Sequence, residues 1–473
     1  MPRYPEFVRR FLLLTLAITA FAATNDDRRT AHPTIYALTD LARSTPPEFA
    51  ARGLLQLLDA NAIPTPDWQQ DIAREVLTLA QSARHPVRKR LAPGLTATDN
   101  RAMLWHTAYN QGLDSLSLSL RAIAHLRRLD RAAAKEAFTH LPRPQSTPVT
   151  CKDPLIDDLS LWYTTAGKVS ADPGTILNAI QTATAPTELA PAIDLIYFRR
   201  GPAEELDLYA GAIAARLQSF RPDDRTFNAA LFSLPEKIEY LLSTLTLLQR
   251  PAGPLPDAWR TWMQTGLAAP ACDESRRPGP QGQARQNAFD LFNRAQTPLP
   301  AELLKPTGES VPTNFEPFAD NDATREQSRQ FRQLLFGTQS RGLSNAEKDT
   351  PEWREQLQIY IQSIEARTRA AGESDIEYFY RQSQLWAGVL MAAPAGPTRD
   401  RALQQFLAFL LANVPHIDPI IWYSQLESMA EITRSLHGAE FARLCKALHQ
   451  TGHPVLQLYA ELESAYPTRP QAN

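Results

Sequence analysis

Apolar residues recur along this chain at intervals of three and four, in runs long enough for amphipathic helices and separated by links of only a few residues. The pattern is plainest between Asp114 and Trp162. Leu116, Leu120, Ile123 and Leu126 fall on one helical face, and Asp130 then stands as the N-cap of a second run through Ala134, Ala137 and Phe138. Side chains three and four apart share one side of a 3.6-residue helix, so each run offers an apolar stripe and a wet face. Pro142, Pro144 and Pro148 then break the chain, Cys151 follows, and from Pro154 the helical face resumes through Leu155, Leu159, Trp162 and Tyr163.

The same rule predicts the other elements. Thr34–Arg43 is a helix, Thr45-Pro-Pro-Glu48 supplies a capping box ahead of Phe49 to Ala60, and Thr65-Pro66 opens a run with Trp68, Ile72, Val76 and Leu79 on one side. Further helices are expected over 98–113, 173–184, 187–199, 202–219, 222–232, 235–249 and 256–268, a short one over Ala284–Ala295, and then over 325–336, 351–370, 375–392, 398–414, 419–437, 439–450 and 454–466. Short links make neighbouring helices pack side by side, and a long series of such pairs builds a superhelix. The expected fold is therefore all-α, an irregular α-solenoid of antiparallel helix pairs similar to tetratricopeptide or HEAT arrays without their regular repeat. The run LRRLDRAAAKEAF has the small residues and aromatic of a tetratricopeptide hairpin, but nothing matches it at a steady interval of about 34 residues.

Composition strengthens the helical reading. Leucine outnumbers valine 61 to 9 and glycine numbers only 19, which favours helices and starves strands of β-branched residues. The 38 prolines fall between the periodic runs or in their first turn, where proline is tolerated. A chain of 473 residues exceeds what one core usually serves. The divisions expected are a leader over 1–22, an N-terminal helical region over 23–150, a middle block over 151–272, a proline-rich connection over 273–324 and a C-terminal unit over 325–473.

The leader reads as a secretory signal: Arg3, Arg9 and Arg10, the apolar stretch Phe11 to Phe21, and Ala20-Phe21-Ala22 as a cleavage site. That stretch is too short to span a bilayer, and no later segment is apolar for long enough. Removing the leader takes three arginines and one glutamate from a chain of formal charge −2 and leaves −4, a balance that offers nothing to nucleic acid. The expected location is periplasmic or extracellular, where disulfides persist. Cys151 and Cys272 each lie in a proline-rich loop and are expected to be bonded, whereas Cys445 in FARLCKALHQ points inward with Phe441, Leu444 and Leu448 and stays free.

Candidate chemistry is sparse. Cys445, His449 and His453 recur at intervals of four, like ligands on one helix face, but no fourth ligand is near and Gly452 and Pro454 interrupt the helix; no metal is expected. Asp157 with Asp158, and Glu373, Asp375 and Glu377 beside Tyr378 and Tyr380, offer carboxylates for glycoside hydrolysis, yet each is better suited to capping or solvating a helix start. Glu427-Ser428 and Glu463-Ser464 resemble the catalytic pair of soluble lytic transglycosylases but lack the glycine-rich, glutamine-containing motif of that family. The basic run Arg84 to Arg90 is an anion-site candidate or a solvated link. Trp105, Trp162, Trp259, Trp262, Trp386 and Trp422 either line a groove or fill the core, and helical spacing favours the core. Nucleophile elbows, phosphate loops and dinucleotide fingerprints are absent, so no catalytic residue and no cofactor is expected.

Leucine-aspartate helix ends, the leucine-proline crossing and Thr150-Cys151, together with PPEFAARGLLQLLDA, Tyr378-Phe379, GPTRDRALQQFLAFL and HPVLQLYAEL, resemble a group of exported all-helical proteins of soil bacteria to which no activity attaches. The resemblance implies the fold and export and brings no functional residue with it. The functional expectation is a scaffold of the cell envelope that binds a protein or peptide partner. The alternative is an enzyme acting on polysaccharide or peptidoglycan through carboxylates in a helical groove.

Overall fold

The computed structural model describes residues 28–84, 87–91, 101–147, 149–151, 153–170, 172–199, 201–221, 224–269, 272, 280–305, 322–336, 350–436 and 438–467. The expected leader and its cleavage near Ala22, the start of the helix expected over 98–113, and parts of the 273–324 connection lie outside them. The protein is all-α apart from one short ribbon. Helices α1 (Pro33–Arg43), α2 (Pro47–Asp59) and α3 (Pro66–Gln81) lead into strand β1 (Lys89–Leu91), then α4 (Arg101–Tyr109), α5 (Ser115–Leu129) and α6 (Arg131–His140). Strand β2 (Leu155–Asp157) returns antiparallel to β1, with Lys89 opposite Asp157. There follow α7 (Ser160–Val169), α8 (Pro173–Gln181), α9 (Leu189–Arg199), α10 (Glu204–Ser219), α11 (Asp224–Leu231), α12 (Leu234–Leu247), α13 (Leu255–Ala268) and α14 (Pro280–Ala295). The last elements are α15 (Asp322–Phe336), α16 (Pro351–Glu365), α17 (Asp375–Ala392), α18 (Pro397–Asn413), α19 (Pro419–Leu436), α20 (Gly438–Gln450) and α21 (Pro454–Ala465).

Local chemistry explains most boundaries. Proline opens many of these helices, because its missing N–H is one that a first turn leaves unused. Asp114 accepts from Ser117 N at 2.9 Å to start α5, and Asp130 accepts from Ala132 N and Ala133 N to start α6; such caps contribute about 1 kcal/mol each. Two expectations fail locally. The capping box at Thr45 to Glu48 does not form, since Pro46 precedes Pro47 and is held extended, becoming the N-cap itself, while Thr45 Oγ1 donates back to Ala42 O. Leu155 belongs to β2, not to a helix, because residues 155–157 pair with β1 and Asp158 then starts α7. The helix expected over 351–370 stops at Glu365, where Glu373 draws the chain into a loop by accepting from Arg367 and from Ala370 N.

Two hydrophobic cores result. The first runs from Leu38 to Leu299 and also takes in Leu458 and Leu462; the second joins Phe49 and residues of α4 to those from Leu334 to Ala460. Sequential neighbours pack as pairs, among them α2 with α3, α5 with α6, α17 with α18 and α20 with α21. The two ends of the chain also meet: α21 packs on α1 and α2, and α4 packs on α19. Gly53 permits that approach, since a Cβ there would stand 2.9 Å from Leu458 Cδ2. Cys151 and Cys272 are disulfide-bonded across a separation of 121 residues, Arg225 donates to Cys151 O at 2.7 Å, and Cys445 is buried and free. Among the described residues no helix is long and apolar enough to cross a membrane.

Two glycines in helix interiors set opposite expectations. At Gly211 in α10 an added Cβ meets nothing within 4 Å, whereas at Gly266 in α13 it would overlap the ring of the buried Phe227. Gly211→Ala is expected to stabilise by about 0.5–1 kcal/mol through helix propensity, and Gly266→Ala to destabilise by about 1–3 kcal/mol through overpacking, both read by urea titration. Alkylation of the unfolded, unreduced protein is expected to label Cys445 alone, with Cys151 and Cys272 labelled only after reduction; three labelled thiols at the first step would contradict the bridge.

Candidate functional site

The meeting of the two chain ends leaves a cavity of about 330 Å³. Ser44 and Pro46 close it from the link between α1 and α2, and Phe49 enters from the first turns of α2. Val414, Pro415 and Ile417 come from the link after α18, and Pro419 and Trp422 from the start of α19. His453, Pro454 and Val455 come from the start of α21, and Arg84 follows α3. Proline is responsible for much of this shape. It begins α19 and α21 abruptly and flanks the start of α2, so three helix N-termini converge on one space.

The walls are fixed by hydrogen bonds outside the cavity. Trp422 is 3% exposed and donates Nε1–H to Leu410 O at 2.8 Å, which sets its indole plane. Gly452, with φ of +71°, turns the chain out of α20, and His453 N donates to Thr451 Oγ1 at 3.2 Å. The imidazole then lies against Trp422, ring centroids 5.8 Å apart. His453 Nδ1 is buried without a hydrogen-bond partner, and burial holds the imidazole pKa below its ordinary value. A buried bare nitrogen costs less than a buried orphan N–H, so the proton is assigned to Nε2. Ser44 donates its hydroxyl to Leu41 O, and Arg84 is exposed with no ion pair among the described residues. Among the described residues no carboxylate lines the space. The first turn of α21 carries neither an acid nor a side-chain cap, so its positive end is not neutralised locally.

The carboxylates named from sequence are occupied elsewhere. Asp158 accepts from Ser160 N and Oγ at the start of α7, and Asp157, with its side chain 1% exposed, accepts from Thr147 N and faces Lys89 Nζ at 3.7 Å. The basic run and the acidic pair are thus cross-strand partners, with Arg88 donating to Asn110 and residues 85–86 outside the described set. Glu373 binds Arg367 at 2.5 Å with Arg381 at 4.0 Å, Asp375 pairs with Arg369, and Glu377 completes a capping box with Ser374. Tyr378 donates to Arg367 O, and Tyr380 is half-buried against the second core.

The two Glu-Ser pairs do come together, in a seam that sequence reasoning missed. Glu427 accepts from Arg52 at 2.6 Å and from Tyr459 at 3.3 Å; Glu463 accepts from Arg434 at 2.6 Å and from Gln56 at 2.9 Å. Both carboxylates serve the contact between chain ends. Of the metal-like trio, Cys445 is buried with its thiol pKa raised by burial, His449 pairs with Glu461 on the surface at 2.9 Å, and His453 faces the cavity. Among the described residues no cluster of three such groups is placed to hold a metal. The tryptophans divide: Trp162, Trp259, Trp262 and Trp386 are buried in the cores, Trp105 stacks half-buried on Tyr109, and Trp422 is both core and cavity wall. Comparison with family models, curated proteins and solved structures produced no match.

The lowered pKa of His453 has a sign that can be checked. The unfolded imidazole titrates near 6.5 and binds a proton more readily than the folded one. This group therefore favours folding above about pH 6.5, and that contribution is lost as the pH falls from there through the folded pKa. In a proton NMR titration the resonance that disappears in His453→Asn is expected to have a midpoint below 6.5, as is that of His106, which burial also lowers; an ordinary midpoint for the His453 resonance would contradict the buried setting.

Proposed function

We propose that the chain is an exported binding scaffold, an irregular superhelix of helix pairs closed by its own ends, which holds a protein or peptide partner at the cavity between them. The observation that carries this reading is the cavity's lining: apolar and aromatic side chains, the cationic Arg84 and, among the described residues, no carboxylate. At about 330 Å³ it matches the lower end of ligand sites, room for one or two large side chains but not for an extended glycan. The leader-like first 22 residues and the Cys151–Cys272 bridge support export into an oxidising compartment. An enzyme acting on polysaccharide would need two free carboxylates facing one bond. The carboxylates that seemed available are instead engaged by arginines, backbone N–H groups or a lysine.

The test is crosslinking in the native cell with a photoreactive benzoylphenylalanine at the exposed Ser44, and with Ser243 on α12 as the control position. Discrete adducts from Ser44 that map to one segment of a partner, absent from Ser243 and lost when Arg84→Glu is added, are expected. Adducts identical from both positions, or release of sugar fragments from peptidoglycan by the purified protein, would overturn the reading.

A further inference from the structure

We propose that the cavity recognises the C-terminal residue of a partner polypeptide, its apolar or aromatic side chain inserted against Trp422 and its terminal carboxylate held by Arg84 and His453. This rests on the scaffold reading and names the chemistry of the partner.

Three observations converge. First, the space is apolar and walled by rings and prolines, with Phe49, Trp422 and Val455 presenting carbon, so the inserted group must be carbon-rich. Second, the only charged side chain of the lining, among the described residues, is a cation. Arg84 is cationic with no ion-pair partner among the described residues, and His453, its Nδ1 buried and unpartnered, has Nε2 as the donor in the tautomer assigned above. A guanidinium with no ion-pair partner among the described residues specifies an anionic, planar ligand. Third, among the described residues the lining contains no acid to compete for Arg84, and it lies at the uncapped, positive end of α21. A carboxylate on the same residue as the inserted side chain meets all three conditions within one short reach. A polypeptide C-terminus supplies that pairing without further structure in the partner.

Defined peptides test this on the full chain by calorimetry at low salt. The probes are acetyl-alanyl-alanyl-phenylalanine with a free carboxylate and the same peptide as its C-terminal amide. The acid is expected to bind about three- to tenfold more tightly than the amide, the range for one charge-assisted contact at a rim. Arg84→Gln is expected to bring the two within about twofold without weakening the amide, because the residue is exposed and touches only the carboxylate. Ser44→Trp, which fills the cavity from its rim, is expected to abolish both. Equal binding of acid and amide, each lost in Ser44→Trp, overturns the carboxylate assignment and leaves the scaffold reading standing. Binding of neither peptide also overturns the assignment, and the crosslinks from Ser44 then decide the scaffold reading separately. Retention of the acid preference in Arg84→Gln overturns the role given to that residue.

Discussion

Everything specific about this molecule depends on the last helix returning to the first two. Helix α21 presents Leu458 and Leu462 to the core built by the N-terminal half, and Val455, Leu456 and Tyr459 to the core built by the C-terminal half. A helix buried on two sides belongs to both bodies. Closing so long a chain is not prohibitive, since loop entropy grows only with the logarithm of length. The approach must still be close and specific. Gly53 supplies closeness by leaving space for Leu458, and the polar seam supplies specificity: Arg52 and Glu427, 375 residues apart, meet at 2.6 Å, flanked by Tyr423 and Tyr459. Such a half-buried pair adds little net stability over an apolar contact, but leaving either partner alone would cost several kcal/mol, on the order of 3–5. It therefore selects one register of α21 on α2.

The cavity exists only because the ends meet. Its walls come from α2, α19 and α21, elements far apart in sequence, and Phe49 is the residue at which α2 passes from the first core to the second. A ligand that fills this space touches both bodies and binds only the closed arrangement. By linkage it stabilises closure to the extent that it binds. Binding and the integrity of the junction are one equilibrium, which gives the scaffold reading a physical basis beyond the shape of a pocket.

How much of this was legible in the sequence follows the range of the interactions. Helices were legible in class and approximate extent because their signals are local: proline in first turns, Asp130 as a cap, Thr65 at a helix start, and apolar stripes at helical spacing. The disulfide was legible from compartment and loop context. The ribbon was not, because three residues of strand carry no periodicity and Leu155 continued an apolar spacing that fits a helix equally well. The Thr45–Glu48 signature misled because it ignored the restraint one proline places on the residue before it. The seam and the cavity were invisible for a different reason. No local pattern pairs Arg52 with Glu427 or brings Arg84 and His453 to one cavity, and without aligned relatives nothing in one sequence marks such meetings.

The fate of the charged candidates makes the remaining point. Each acidic cluster that looked catalytic has an arginine, a lysine or a helix start to satisfy it, and buried carboxylates are stable only under that condition. Glu188 is the extreme case, 2% exposed and accepting from Arg143, Tyr163, Ser146 and Thr184. A fully satisfied carboxylate has no lone pair left for a substrate. The lining of the junction cavity is different: it holds the cationic Arg84 and, among the described residues, no carboxylate, around a space that carbon lines. What sets the junction apart is the combination of a carbon-lined space with a cation at its rim and no acid beside it among the described residues, and that is what an outside anionic, carbon-rich group can complement.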